Sequence, residues 1–178
     1  TYEVAFAGSK GASAEAGVEF GTPDNQNRLA ILACFENDVC KRIRWRVVLD
    51  GTERENKCVF LDKPVEGRFT LRVQVLGSGL NVFVEQNSVS RVVDTHDFSK
   101  LIDLRQKKHF RAFEFRLATK LGAGESVTVE DAAAVLTTGA GQADICAITY
   151  QDGSPLLDQG RLWFTISIRG RLLPHHLQ

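Results

Sequence analysis

Two tryptophans, a scatter of side-chain amides and a stripe of arginines are the parts of this chain suited to ligand chemistry. A sugar-binding surface needs an aromatic platform beside planar hydrogen-bonding side chains. Trp45, Trp163, Asn81, Gln86 and Asn87 are the available pieces. Trp45 shares its alternation with Ile43, Val47 and Leu49, which puts it on an apolar strand face and reads as core. Trp163 falls opposite Leu162, Phe164 and Ile166, so it is the better platform. Arg42, Arg44 and Arg46 form a cationic stripe with Lys41 nearby. That stripe reads as a solvated face or a ladder of cross-strand ion pairs; a polyanion site would need Arg72 or another cation beside it.

Other arrangements fail on context. "VLTTGAGQAD" contains Gly139, Ala140 and Gly141, but Asp144 stands where a dinucleotide loop has its third glycine, and the following "ICAITY" favours strand over helix. His175 and His176 are adjacent, so on an extended strand they point to opposite faces and do not make a metal pair. His96 and His109 are isolated, and no dense series of Asp and Asn suggests calcium. No cofactor and no metal are expected. Cys34, Cys40, Cys58 and Cys146 match no zinc spacing. Cys34 and Cys146 lie in apolar runs, and buried reduced thiols are the favoured reading. A Cys40–Cys58 or Cys34–Cys58 bridge between paired strands is the alternative.

Composition bounds the class. A chain of 178 residues makes one ordinary domain, or one domain with part of another. Lys+Arg and Asp+Glu are both 22, so there is no electrostatic case for nucleic acid or an anionic membrane as partner. No apolar run reaches the ~20 residues of a membrane helix. The N-terminal "TYEVAFAGSKGASAEAG" lacks the basic start and apolar core of a signal peptide, as a mature secreted chain also would. The chain has no methionine and stops soon after a strong strand, so the expectation is a portion of a longer or processed polypeptide.

Most segments read as strands. "GVEFG", "RLAILACF", "RIRWRVVL", "KCVFL", "SRVVDT", "FRAFEFRLA" and "GESVTVED" are short apolar or alternating runs bounded by turn residues. The clearest is "FTLRVQVLGSGLNVFVE", in which Phe69, Leu71, Val73 and Val75 alternate with polar residues. A Gly-containing turn follows, and Leu80, Val82 and Val84 then resume the alternation. Helix is suggested over 98–110, with Ser99 as N-cap and Leu101, Ile102 and Leu104 near helical spacing. "EDAAAVL" is rich in alanine but too short for a persuasive helix. The expectation is an all-β protein: an antiparallel β-sandwich over 1–138, then a hairpin over 139–178. That hairpin either packs on the sandwich or begins a further β domain, because two strands alone are marginal in water.

Two resemblances extend this. The hairpin "FTLRVQVLGSGLNVFVEQN" resembles the central hairpin of laminin-G and concanavalin-like sandwiches. "GQADICAITYQDGSPLLDQGRLWFTISIRG" is similar to the opening blade of five-bladed propeller glycosidases that act on furanosides and related sugars. In those families an early carboxylate acts as general base or nucleophile. The resemblance places it at Asp144, although Ile145 follows where proline is common. Glycoside hydrolysis needs a second carboxyl group held protonated, which the resemblance puts on later blades. It also implies a sugar pocket reached by Trp163, Arg169 and His175. The function implied is a portion of a carbohydrate-active enzyme, an accessory sandwich leading into a glycoside hydrolase domain; a non-catalytic glycan- or protein-binding module is the alternative. Carbohydrate is the expected partner, with another chain or a continuation of this one as the other candidate. A carbohydrate-active protein would be secreted or periplasmic; the residues themselves assign no compartment.

Overall fold

The computed structural model describes residues 1–76, 78–135, 142–168 and 176–177; Leu76, Phe110, 142–144, 166–168 and 176–177 are described by backbone alone. The chain divides into two compact units, Thr1–Val135 and Leu136–Gln178. The first unit contains strands β1 (Tyr2–Lys10), β2 (Glu15–Gly21), β3 (Arg28–Glu36), β4 (Val39–Leu49), β5 (Thr52–Glu66), β6 (Phe69–Leu76), β7 (Gly79–Gln86) and β8 (Val89–Asp97). A short helix α1 (Lys107–Ala112) leads to β9 (Glu114–Lys120) and β10 (Ser126–Ala134). They form two five-stranded antiparallel sheets, ordered β10-β1-β6-β7-β8 and β5-β4-β3-β2-β9.

Alternation explains the sandwich. Strand β1 sends Val4 and Phe6 inward, and β6 and β7 send Leu71, Val73, Val82 and Val84. The facing sheet answers with Val18, Ile31, Ala33, Phe35, Ile43, Trp45 and Val47, all essentially buried. Rings stitch the layers together: Phe35 lies 5.3 Å from Phe6 and 5.9 Å from Phe69, while Tyr2 lies 4.8 Å from Phe20. Trp45 is core, as its strand position predicts, with the rings of His96 and Phe98 at 5.6 and 5.7 Å. On that side the edge strands of the two sheets are pinned by Lys57 to Asp94 at 2.8 Å and His96 to Glu55 at 3.0 Å. Strand β5, an edge with β4 as its neighbour, keeps Arg54, Lys63 and Pro64 exposed.

The expected helix over 98–110 is mostly turns, and the helix that forms is Lys107–Ala112. Ser99 is not an N-cap: its N–H donates to Asp97 Oδ1 at 2.8 Å, and Arg105 N–H donates to Asp103 Oδ1 at 3.0 Å. These aspartates offer the backbone local partners that compete with a helix. The buried residues of the segment, Phe98 and Leu104, stand six apart, which is not a helical stripe. Arg105 first, through its side chain and then its backbone N–H, holds the Asp103 carboxyl down to about 2. The alanines after Glu130 continue β10 to Ala134 as strand.

The second unit, taken by itself, contains β11 (Gln142–Ala147), β12 (Leu157–Asp158), β13 (Arg161–Leu162), β14 (Phe164–Ile168) and β15 (His176–Leu177). Strand β14 pairs antiparallel with β11 and β15, and β12 pairs with β13. Among its described residues none is buried.

The tightest spot of the sandwich is Gly17, where a Cβ would lie 2.1 Å from the Ile31 carbonyl oxygen and 2.9 Å from Leu32 Cα. Both are backbone atoms, so relief requires β2 and β3 to separate. Gly17→Ala is expected to destabilise the protein by about 3 kcal/mol. Gly124→Ala, at a φ of +78° with nothing near the new methyl, should cost about 1 kcal/mol. Urea unfolding of the two variants checks the order; equal losses would mean that β2 adjusts freely.

Candidate functional site

The outward face of the sheet β5-β4-β3-β2-β9 is laid out in cross-strand rows. Lys120, Glu15, Cys34, Arg42 and Phe60 form one row, and Ala118, Gly17, Leu32, Arg44 and Cys58 the next. Arg116, Glu19, Ala30, Arg46 and Asn56 form the third, and Glu114, Gly21, Arg28, Val48 and Glu53 the fourth. Small side chains coincide on three neighbouring strands, at Gly17 on β2, Ala30 on β3 and Ala118 on the edge strand β9, while long charged ones stand around them. The result is a polar groove of about 430 Å³ floored by Ala30, Leu32 and Ala118. Its volume is in the range of small-ligand sites.

A hydrogen-bonded network makes one wall. Arg44 Nε meets Glu15 Oε1 at 3.0 Å, and Arg44 Nη1 donates to Asn56 Oδ1 at 2.9 Å. Asn56 Nδ2 donates to Glu53 Oε1 at 3.3 Å, and Arg46 Nε donates to Glu53 Oε2 at 2.6 Å. Glu15 is buried despite its charge. Burial opposes the Arg44 charge, but the Glu15 carboxylate and neighbouring groups outweigh it and raise the Arg44 pKa. The Arg46 hydrogen bond first, then that from Asn56, hold the Glu53 carboxyl below its usual range. The arginine stripe is thus an ion-pair ladder, completed by Arg42 and Glu36 at 3.3 Å. Arg72 does not join it; it belongs to β6, paired with Glu3 at 2.7 Å and Glu85 at 2.9 Å.

Arg28 differs from these. No ion pair with another described residue engages it, and its Nε, like that of Arg42, is buried with no protein hydrogen-bond partner. Phe60 shares the outward face and is 69% exposed.

The residues expected at a site fare unevenly. Trp163 lies between β13 and β14, 48% exposed, and its carbonyl accepts the Ile148 N–H at 2.9 Å. Leu162 and Phe164 are equally open, so alternation does not sort this segment into covered and open faces. Asp144 lies on β11 with its side chain outside the described residues, and Arg169 and His175 lie outside them altogether. Asp152 accepts from Ser154 N at 2.9 Å and Ser154 Oγ at 2.6 Å, the turn expected before Gly153. Gln86 donates to the carbonyls of Glu66 and Arg68, and Asn87 occupies a turn with φ 52°.

All four cysteines are free; Cys34 and Cys40 are buried, but Cys146, expected inside, is exposed, as is Cys58. In "ICAI" both Ile145 and Cys146 face solvent in a unit with no described buried residue. Among the described residues no group of three or more potential ligands is placed to hold a metal ion, and no helix is long and apolar enough to cross a membrane.

No protein-family profile matches the chain, and no curated protein does. Among solved structures, one described as Bacteroides ovatus xyloglucan PUL GH43B is similar at 15% identity and a TM-score of 0.42. The likeness covers 66% of this chain and 23% of that one, so the chain spans under a quarter of that structure's length.

Two outcomes follow from this geometry. Burial pushes the Cys40 thiol up to about 12 and, with Glu15, raises Cys34. A thiol reagent at pH 8 should therefore label Cys58 and Cys146 in the native protein and all four only after unfolding; rapid native labelling of Cys34 or Cys40 would contradict their burial. Because the Glu53 pKa is lowered by folding, its contribution is present above its ordinary value and lost as pH falls through the folded one. Glu53→Gln should lower Tm at pH 7 and converge with the unaltered protein at strongly acid pH. A Tm gap that widens on acidification would reverse that sign.

Proposed function

We propose that Thr1–Val135 is a non-catalytic glycan-binding sandwich whose site is the groove on the β5-β4-β3-β2-β9 sheet. The carrying observation is the groove itself: donors and acceptors from Arg44, Asn56, Glu53 and Arg46 over a floor of Ala30, Leu32 and Ala118. Sugar hydroxyls both donate and accept, so they match a wall that alternates arginine, amide and carboxylate. Their C–H faces match the small apolar floor, and exposed Phe60 adds an aromatic surface on the same side. Hydrolysis is disfavoured within the sandwich. Glu15 and Glu53 are each ion-paired, and Glu53 is held ionised, whereas a glycosidase needs one carboxyl group kept protonated.

The sandwich in this reading is accessory to a glycoside hydrolase, delivering it to its polymer. Asp144 as catalytic carboxylate, with Trp163, Arg169 and His175 about a sugar pocket, belongs to that wider proposal. Its support is the half-exposed Trp163 and the sequence resemblance of the segment.

Affinity electrophoresis and calorimetry against plant, bacterial and animal oligosaccharides test the binding site. Retention by at least one glycan is expected, and Ala118→Trp, which fills the floor from an edge strand, should weaken binding at least tenfold with Tm retained. Absence of binding across the panel, or full binding by the Ala118→Trp protein, would remove the groove as a glycan site and favour a protein partner.

A further inference from the structure

The charges lining the groove do not cancel. Glu15 is matched by Arg44 at 3.0 Å and Glu53 by Arg46 at 2.6 Å, so four of the seven formal charges form closed pairs. Glu19, Arg28 and Lys120 remain, two cations against one acid. The Glu19 carboxylate leans over Gly21: Glu19 Oε1 lies 3.2 Å, and the Arg116 guanidinium 3.1 Å, from where a Gly21 Cβ would be. Arg116 is engaged with Glu114, Asn25 and Thr22 instead. No ion pair with another described residue engages Glu19, Arg28 or Lys120, which leaves Arg28 and Lys120 as the lining cations with open donors.

These two stand at opposite ends of the groove. Lys120 is opposite Glu15 at one end of β2, and Arg28 is opposite Gly21 at the other. The six residue steps from Glu15 to Gly21 on β2 span about 20 Å at strand rise. An arginine presents a planar fork that fits a carboxylate with two hydrogen bonds, and the Arg28 Nε is a buried donor that no protein atom satisfies. The Nε itself is enclosed by the protein, so an anion in the groove would meet the terminal nitrogens of the guanidinium.

Resting on the glycan-binding reading, we infer that the groove selects an acidic oligosaccharide, one whose sugar carboxylates pair with Arg28 at one end and Lys120 at the other. Neutral sugars could use the Arg44–Asn56–Glu53 wall but would leave both terminal cations unpaired. A chain with a carboxylate on successive sugar units brings an anion within reach of each end cation, and the acids in those end rows, Glu15 and Glu53, are already matched by Arg44 and Arg46.

The experiment is calorimetric titration of the unaltered protein with oligogalacturonate and oligoglucuronate, with their methyl esters, and with neutral xylo- and cello-oligosaccharides. The esters keep the sugar framework and remove the charge. At least tenfold tighter binding of the free acids than of the esters is expected, with affinity falling as NaCl rises. Arg28→Gln should abolish most of that preference, and Arg28→Lys should retain part of it. Equal binding of acid and ester, or preference for neutral sugars, overturns the acidic specificity while leaving the glycan-binding reading in place. Binding of none of these ligands overturns both. The comparison of acid with ester uses the unaltered protein, so it decides the matter even if the Arg28 variants fold poorly.

Discussion

Strand β2 passes so close to the Ile31 carbonyl that no side chain fits at Gly17, and both faces of the sheet depend on that passage. Inward, it fixes the register that carries Ala16, Val18 and Phe20 into the core opposite β3. Outward, it leaves a bare stretch of backbone beside Ala118 and Leu32. One residue slipped along β2 would turn Val18 outward and Gly17 inward, losing the core contact and the hollow together. Packing and groove are therefore two consequences of one constraint.

The two faces of that sheet are held by different physics. The inner face is apolar, with Phe35 and Phe20 reaching rings on the opposite sheet, and its stabilisation comes from area removed from water. The outer face gains little from its exposed ion pairs individually. What the Glu15–Arg44–Asn56–Glu53–Arg46 network supplies is geometry, because Arg44, Asn56 and Glu53 are each restrained by two neighbours and Glu15 and Arg46 by one. A wall whose rotamers are already fixed loses less entropy when something binds to it.

Much of the sandwich can be read from linear alternation, because a strand with one buried face must repeat every second residue. Phe69 to Glu85 shows it plainly, and Trp45 falls inside for the same reason. Strand β1 is harder to see: the apolar Tyr2, Val4 and Phe6 series is brief, and register shifts beside Ala5, Phe6 and Gly8 interrupt the pattern. The turns at 98–106 defeat a helical reading, since Asp97 and Asp103 bond to the backbone two residues on, a local chemistry that periodicity does not register. The groove is invisible in the linear chain for a stronger reason. Ala30, Leu32 and Ala118 mean nothing separately and become a floor only when β9, distant in sequence, pairs on β2 beside β3. Arginine alternation along β4 did point to the correct face, as an ion-pair ladder.

Strand β5 carries one more consequence. Fifteen residues of edge would ordinarily be a template on which further chains could stack. Here Arg54, Glu55, Lys57, Asp62 and Lys63 interrupt it with charge of both signs, and Pro64 withholds a donor from any would-be neighbour. At high local concentration the sandwiches can lie side by side without fusing their sheets into fibrils.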